Sequence, residues 1–216
     1  MEINKYIDHT NLKAYASKED IETLCKEAKK YNFASVCVNP YYVSYAYELL
    51  KNIDVKVCTV IGFPLGQNTT FIKASEARDA INNGADEIDM VINIAALKNQ
   101  DYDYVKEEIK SIKEVVNDKI LKVIIETCYL TKEEIIKMTK ICNEVEVDFI
   151  KTSTGFGPNG AKIEDIDIIN EYKSNNLQIK ASGGIKNYQD ALSFINKGVM
   201  RIGTSNGVKI MEGDKE

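Results

Sequence analysis

One histidine, His9, and no tryptophan occur among the 216 residues. With a single imidazole, a Ser-His-Asp relay or a multi-histidine metal centre would have to rest on His9 alone, so neither is expected. The five cysteines, Cys25, Cys37, Cys58, Cys128 and Cys142, are odd in number, widely spaced and free of C-x-x-C. They read as reduced thiols rather than disulfides or a zinc site. Prolines number three, Pro40, Pro64 and Pro158, and no Pro/Gly/Ser-rich linker divides the chain. No run reaches the roughly 18 apolar residues of a membrane span. The opening MEINKYIDHTNLK lacks the apolar stretch of a signal peptide. The expectation is a cytoplasmic protein with no membrane partner. The formal net charge of -5 repels phosphate backbones, so nucleic acid is not an expected partner either. A local cationic pocket in an acidic protein can still take a small phosphorylated substrate.

What the chain does have is a recurring pattern. Short apolar runs rich in Val and Ile alternate with longer amphipathic, charged runs. The β-like runs are 34–39, 55–63, 86–94, 121–127, 148–153, 177–182 and 199–205, with a weaker eighth at 6–10. Continuous Val/Ile strings are the mark of parallel strands buried on both faces. Between them, 17–32 has Ser17 as N-cap with Asp20 three residues on, and 131–145 repeats the scheme with Thr131 and Glu134. The segments 68–85 and 187–199 end in glycine stops, Gly84 and Gly198. Alternation repeated about eight times predicts an α/β chain folded as one TIM (β/α)₈ barrel over 1–216, ahead of an open doubly wound sheet.

In such a barrel chemistry sits at the C-terminal ends of the strands. Asp89 lies inside an apolar strand, where a carboxylate is costly unless paired. Asp86 and Glu87 lie nearer the strand start and read as structural or solvated. Lys151 and Lys180 fall at matching depths on neighbouring strands, and alternation puts both in the barrel mouth if Ile150 and Ile179 face the helices. A free lysine has pKa about 10.4 and offers the neutral amine in about 1 of 2,500 molecules at pH 7. A second ammonium nearby, in a partly desolvated pocket, disfavours protonation, which is a route to a Schiff-base lysine. Residue pattern alone leaves open which lysine is the nucleophile. The loops after strands seven and eight, Ser182-Gly183-Gly184 and Gly203-Thr204-Ser205, occupy the usual phosphate position of these barrels. A third small-residue loop, Thr152-Ser153-Thr154-Gly155, follows Lys151.

The segments FIKTSTGF (149–156), IKASGGI (179–185), DEIDMVINI (86–94), LKVIIETCYL (121–130) and VCTVIGFPLG (57–66) together resemble bacterial deoxyribose-phosphate aldolase. The similarity runs from about Tyr6 to Val208. It implies reversible cleavage of 2-deoxy-D-ribose 5-phosphate to D-glyceraldehyde 3-phosphate and acetaldehyde, with no cofactor and no metal. It assigns the Schiff base to Lys151, the tuning lysine to Lys180 and acid–base work to Asp89. It implies substrate and phosphate contacts at Thr154, Gly155, Ser182, Gly183, Gly184, Gly203, Thr204 and Ser205, and supporting roles at Asp8 and Thr10. Cys37 also falls at a family position, although a buried core residue is the plainer reading. A homodimer or homotetramer is implied, and the tyrosines at 41, 42, 45 and 47 mark either an interface or a helix packed on the barrel. The chain ends MEGDKE without a tyrosine, so a mechanism enlisting a C-terminal tyrosine is not carried over. A Schiff-base barrel acting on another phosphosugar and a non-catalytic phosphosugar binder are the rival readings.

Overall fold

The computed structural model describes residues 2–213. Eight parallel strands close on themselves in sequence order: β1 (Ile7–Asn11), β2 (Ser35–Val38), β3 (Lys56–Ile61), β4 (Glu87–Val91), β5 (Ile120–Ile124), β6 (Phe149–Lys151), β7 (Gln178–Ser182) and β8 (Arg201–Thr204). The helices on the outside are α1 (Lys18–Tyr31), α2 (Val43–Leu50), α3 (Thr70–Asn82), α4 (Ile94–Lys98), α5 (Tyr102–Val116), α6 (Lys132–Val145), α7 (Ile163–Tyr172), α8 (Tyr188–Asn196) and α9 (Gly207–Glu212). This is the (β/α)₈ barrel that the alternation predicts. The predicted β-runs overshoot most strands, because their last residues leave the sheet to form the loops of the mouth.

Capping chemistry sets where helices begin. Ser17 accepts from the Asp20 amide while Asp20 accepts from the Ser17 amide, and Thr131 and Glu134 form the same reciprocal pair. Each satisfies amides that the first turn would leave unpaired. Of the clustered tyrosines, Tyr45 and Tyr47 lie on α2 and Tyr41 and Tyr42 in the 3-10 turn before it, where the Tyr42 hydroxyl donates to the Ala16 carbonyl at 2.7 Å.

Strand alternation then separates two environments. Ile7, Val36, Val57, Ile88, Met90, Leu121, Val123, Ile150, Ile179 and Ile202 belong to the main core between sheet and helices. Their sequence neighbours Asp8, Cys37, Cys58, Glu87, Asp89, Lys122, Lys151 and Lys180 point the other way. Inside the barrel the apolar part is a small separate cluster of Leu12, Cys37, Cys58 and Val60, with Phe63 packed on it. The charged groups of the interior gather beside it, with the Arg201 guanidinium over the Phe149 ring.

Candidate active site

Four cations and three carboxylates meet inside the barrel. Asp89 is at their centre. Its Oδ2 accepts from Lys151 Nζ and from Lys180 Nζ, each at 2.7 Å. Its Oδ1 accepts from Lys122 Nζ at 2.9 Å and faces the Cys58 thiol at 3.1 Å. Lys122 also bonds Glu87 at 2.5 Å. Lys180 pairs with Asp8 Oδ2 at 2.5 Å, and Arg201 closes the ring on Asp8 and Glu87 at 2.6 Å each. Burying such charges is affordable only because each one meets partners of opposite sign.

The ionisation states follow. Burial by itself would raise the Asp89 pKa, but the ammoniums of Lys122, Lys151 and Lys180 outweigh it and hold the carboxyl well below the usual range. Asp8 is likewise lowered against burial, by Arg201, Lys180 and Lys122. Burial would strip Lys180 of its proton, yet Asp8 and Asp89 keep it an ammonium, raised above the ordinary lysine value. Lys122 is held protonated in the same way by Asp89 and Glu87.

The register places Lys151 and Lys180 as direct cross-strand partners, at the matching depth read from the sequence. The two differ in what they face. A cleft of about 490 Å³ opens at the barrel mouth, and Lys151 lines it together with Thr10, Thr154, Gly155, Ser182, Gly183, Gly184, Gly203, Thr204 and Ser205. Every loop residue expected to hold the substrate is therefore on one wall system. Lys180, Asp89 and Asp8 are fully buried beneath it. Gly183 and Gly184 both have φ +82°, a region glycine enters freely. A Cβ on Gly203 would come within 3.2 Å of Lys180 Cε, so this glycine leaves room for the lysine. Thr10 also donates to the Asp8 carbonyl at 2.8 Å, tying the strand end down. Cys37 does not line the cleft; it is buried one layer below, beside Cys58, in keeping with the core reading.

One open alternative is closed and several residues are added. Glu87 is not solvated: it is 1% exposed and ion-paired with Lys122 and Arg201. It lies two residues before Asp89, so alternation alone puts it on the same inward face. Asp86 is structural, accepting from the Val57 amide at 3.0 Å. Lys122 and Arg201 join the network, and each interrupts an apolar strand just as Lys151 and Lys180 do. Glu126 is a further addition. It has φ +53°, is buried, and takes the Thr154 amide at 3.2 Å and the Thr154 hydroxyl, so it anchors the loop after Lys151. No spacing rule signals it. His9 lies apart from the lysine network, with Nε2 2.7 Å from Glu27 Oε2 and its ring against Phe33, and burial lowers its pKa. Lys13 and Lys186 add positive charge to the cleft wall.

A parallel barrel with an interior lysine open to a cleft is the architecture of a barrel aldolase. The family described as DeoC/LacD family aldolase matches residues 3–212, and the chain belongs to it. A relative from Thermococcus gammatolerans named deoxyribose-phosphate aldolase is 56% identical over 217 residues, covering 99% of this chain and 96% of its own. One from Caldanaerobacter subterraneus with the same name is 54% identical over 215 residues, covering 98% and 93%. The solved deoxyribose phosphate aldolase of Aeropyrum pernix, described as having a unique tetrameric structure, superposes with a TM-score of 0.91 at 30% identity over 97% of this chain and 89% of its own.

Proposed function

We propose that the protein reversibly cleaves 2-deoxy-D-ribose 5-phosphate to D-glyceraldehyde 3-phosphate and acetaldehyde, through a Schiff base on Lys151. One observation carries the choice of lysine: of the three inside the barrel, Lys151 alone lines the cleft, while Lys122 and Lys180 are sealed beneath it. The Nζ of Lys151 adds to the aldehyde carbon C1 of the open-chain sugar. Loss of water gives an iminium, which is an electron sink. The C3 hydroxyl gives up its proton, the C2–C3 bond breaks, and its electron pair flows toward nitrogen as an enamine. The three-carbon aldehyde phosphate leaves. Protonation at C2 and hydrolysis then release acetaldehyde and free the amine.

Asp89 Oδ2 is shared by Lys151 and Lys180, so a proton can pass between the two amines along two 2.7 Å hydrogen bonds. Lys180 rests as an ammonium, held so by Asp8 and Asp89, and supplies positive charge beside the nucleophile. Backbone amides of 183–184 and 203–205, with Lys13 and Lys186 on the same wall, suit the phosphate and hold the scissile bond over Lys151.

Borohydride reduction in the presence of acetaldehyde tests this reading. The expected result is a mass increase on the peptide carrying Lys151. An adduct elsewhere, or none, overturns it. A donor panel of ketones and keto acids separates this reaction from that of other Schiff-base barrels, and a phosphosugar binder gives no adduct at all.

Among the described residues no helix is long and apolar enough to cross a membrane. A cytoplasmic site of action and a homodimer or homotetramer complete the proposal. Exposed tyrosines support an interface, Tyr41 at 84% and Tyr47 at 44%. Light scattering after size exclusion reads the assembly; a monomer at micromolar concentration contradicts it.

A further inference from the structure

Beneath the cleft, Cys37 on β2 and Cys58 on β3 are cross-strand partners in register. Both side chains point into the barrel, where they belong to the small apolar cluster with Leu12 and Val60. Neighbouring strands lie about 4.8 Å apart, inside the 4.4–6.8 Å range of Cα separations that a disulfide bridges. The two sulfurs and an Asp89 carboxylate oxygen all lie within 4.8 Å of one another. Such a trio also suits a divalent cation. Asp89, however, already meets three ammoniums, and a cation added there would have to displace them.

We propose that Cys37 and Cys58 form a modification site: a buried dithiol that a small hydroperoxide oxidises to a disulfide, with loss of enzyme activity. The two thiols are not equivalent. Cys58 has Lys122 Nζ 3.3 Å away and Asp89 Oδ1 3.1 Å away. The Cys58 side chain beside it lowers the Cys37 pKa, while burial pushes the Cys58 thiol, which donates to Asp89, up. Cys37 is therefore the attacking sulfur. Its thiolate displaces hydroxide from the peroxide, which takes up the thiol proton and leaves as water, and Cys37 becomes a sulfenic acid. Cys58 attacks that sulfur, the S–O bond breaks, and the oxygen leaves as a second water. Two electrons pass from the sulfurs to one molecule of hydrogen peroxide. Leu12 both lines the cleft and belongs to the cluster that holds the pair, so its side chain is where a small oxidant passes from the cleft to the sulfurs.

The consequence is local. Pulling the sulfurs to bonding distance removes the Cys58 S–H from Asp89 and shifts the sulfur beside Lys122. Asp89 loses one of the four groups that set its orientation under Lys151.

The test is hydrogen peroxide titration of the full chain, followed by non-reducing tryptic mapping. Lys51 and Lys56 separate the cysteines, so the expected product joins peptide 31–51 to peptide 57–73 with a loss of two hydrogens. Activity should fall at least about fivefold in step with that product and return with dithiothreitol. The Cys58→Ala variant should give no joined peptide and should carry irreversible oxidation on Cys37 instead. The mass readout does not depend on the substrate assignment. A wild-type chain that keeps its folded circular dichroism but gives no joined peptide overturns the proposal, as does a joined peptide that leaves activity unchanged.

Discussion

Replacing Asp8 by Asn is the sharpest probe of the charged interior. Asp8 is fully buried and meets Lys180 at 2.5 Å, Arg201 at 2.6 Å and Lys122 at 3.9 Å. Asn fits the same space and keeps one acceptor, but it removes a full negative charge from a cluster of four cations and three carboxylates. Breaking a buried pair by removing one partner costs about 3–5 kcal/mol. The retained acceptor argues for the lower end, about 3 kcal/mol. For a chain of this size, with about 2–4 °C per kcal/mol, the midpoint should fall by roughly 6–12 °C. The pH dependence has a definite sign. The Asp8 pKa is lowered in the folded state. Its contribution is therefore complete above the unfolded value of about 3.9 and is lost as pH falls through the lower folded value. The stability deficit of Asp8→Asn should be constant from pH 5 to 8 and shrink only in stronger acid. Turnover should fall at least about tenfold, because Lys180 loses the first of its two carboxylate partners. Thermal melts across pH, paired with acetaldehyde release from the sugar phosphate, measure both effects. A midpoint within about 2 °C of wild type at pH 7 would refute the reasoning.

Three further outcomes follow from the same geometry. Lys180→Leu removes the ammonium that shares Asp89 with Lys151 and should lower kcat by about 10²-fold at pH 7 while the chain stays folded; near-normal turnover contradicts the tuning role. Glu126→Gln weakens the anchor on Thr154 and should act mainly on KM, raising it by roughly three- to tenfold, with kcat changed less; a kcat loss with unchanged KM would place Glu126 in the chemistry instead. Lys73→Met outside the barrel strands Glu108, whose partner it is at 2.8 Å with both side chains fully buried. It should cost about 3–5 kcal/mol, and adding Glu108→Leu should recover most of that; a denaturant double-mutant cycle without recovery argues against the pair.

The alternation of Val/Ile runs with amphipathic runs was enough for the barrel, because hydrophobic period reports which faces are buried whatever the partner. The capping pairs at Ser17 and Thr131 were equally legible, since a cap is a contact three residues apart. The same local logic brought out Lys151, Lys180 and Asp89 as charged residues in apolar strands. Lys122, Arg201 and Glu87 obey the identical rule: Lys122 is the cross-strand partner of Asp89, and Glu87 and Arg201 open their strands. Glu126 and the Cys37–Cys58 pair were beyond it, since their meaning lies in neighbours 20 or more positions away.

The sequence by itself therefore determined the eight-fold repeat, the inward face of each strand and the set of groups able to do chemistry. It left Lys151 and Lys180 equivalent, separated only by a resemblance. Closing the barrel broke that equivalence. The loops after β6, β7 and β8 open a cleft over Lys151, while Asp8 and Asp89 hold Lys180 beneath it. Which lysine meets the cleft depends on loop packing and on ion pairs between strands far apart in the chain, and no local pattern encodes either.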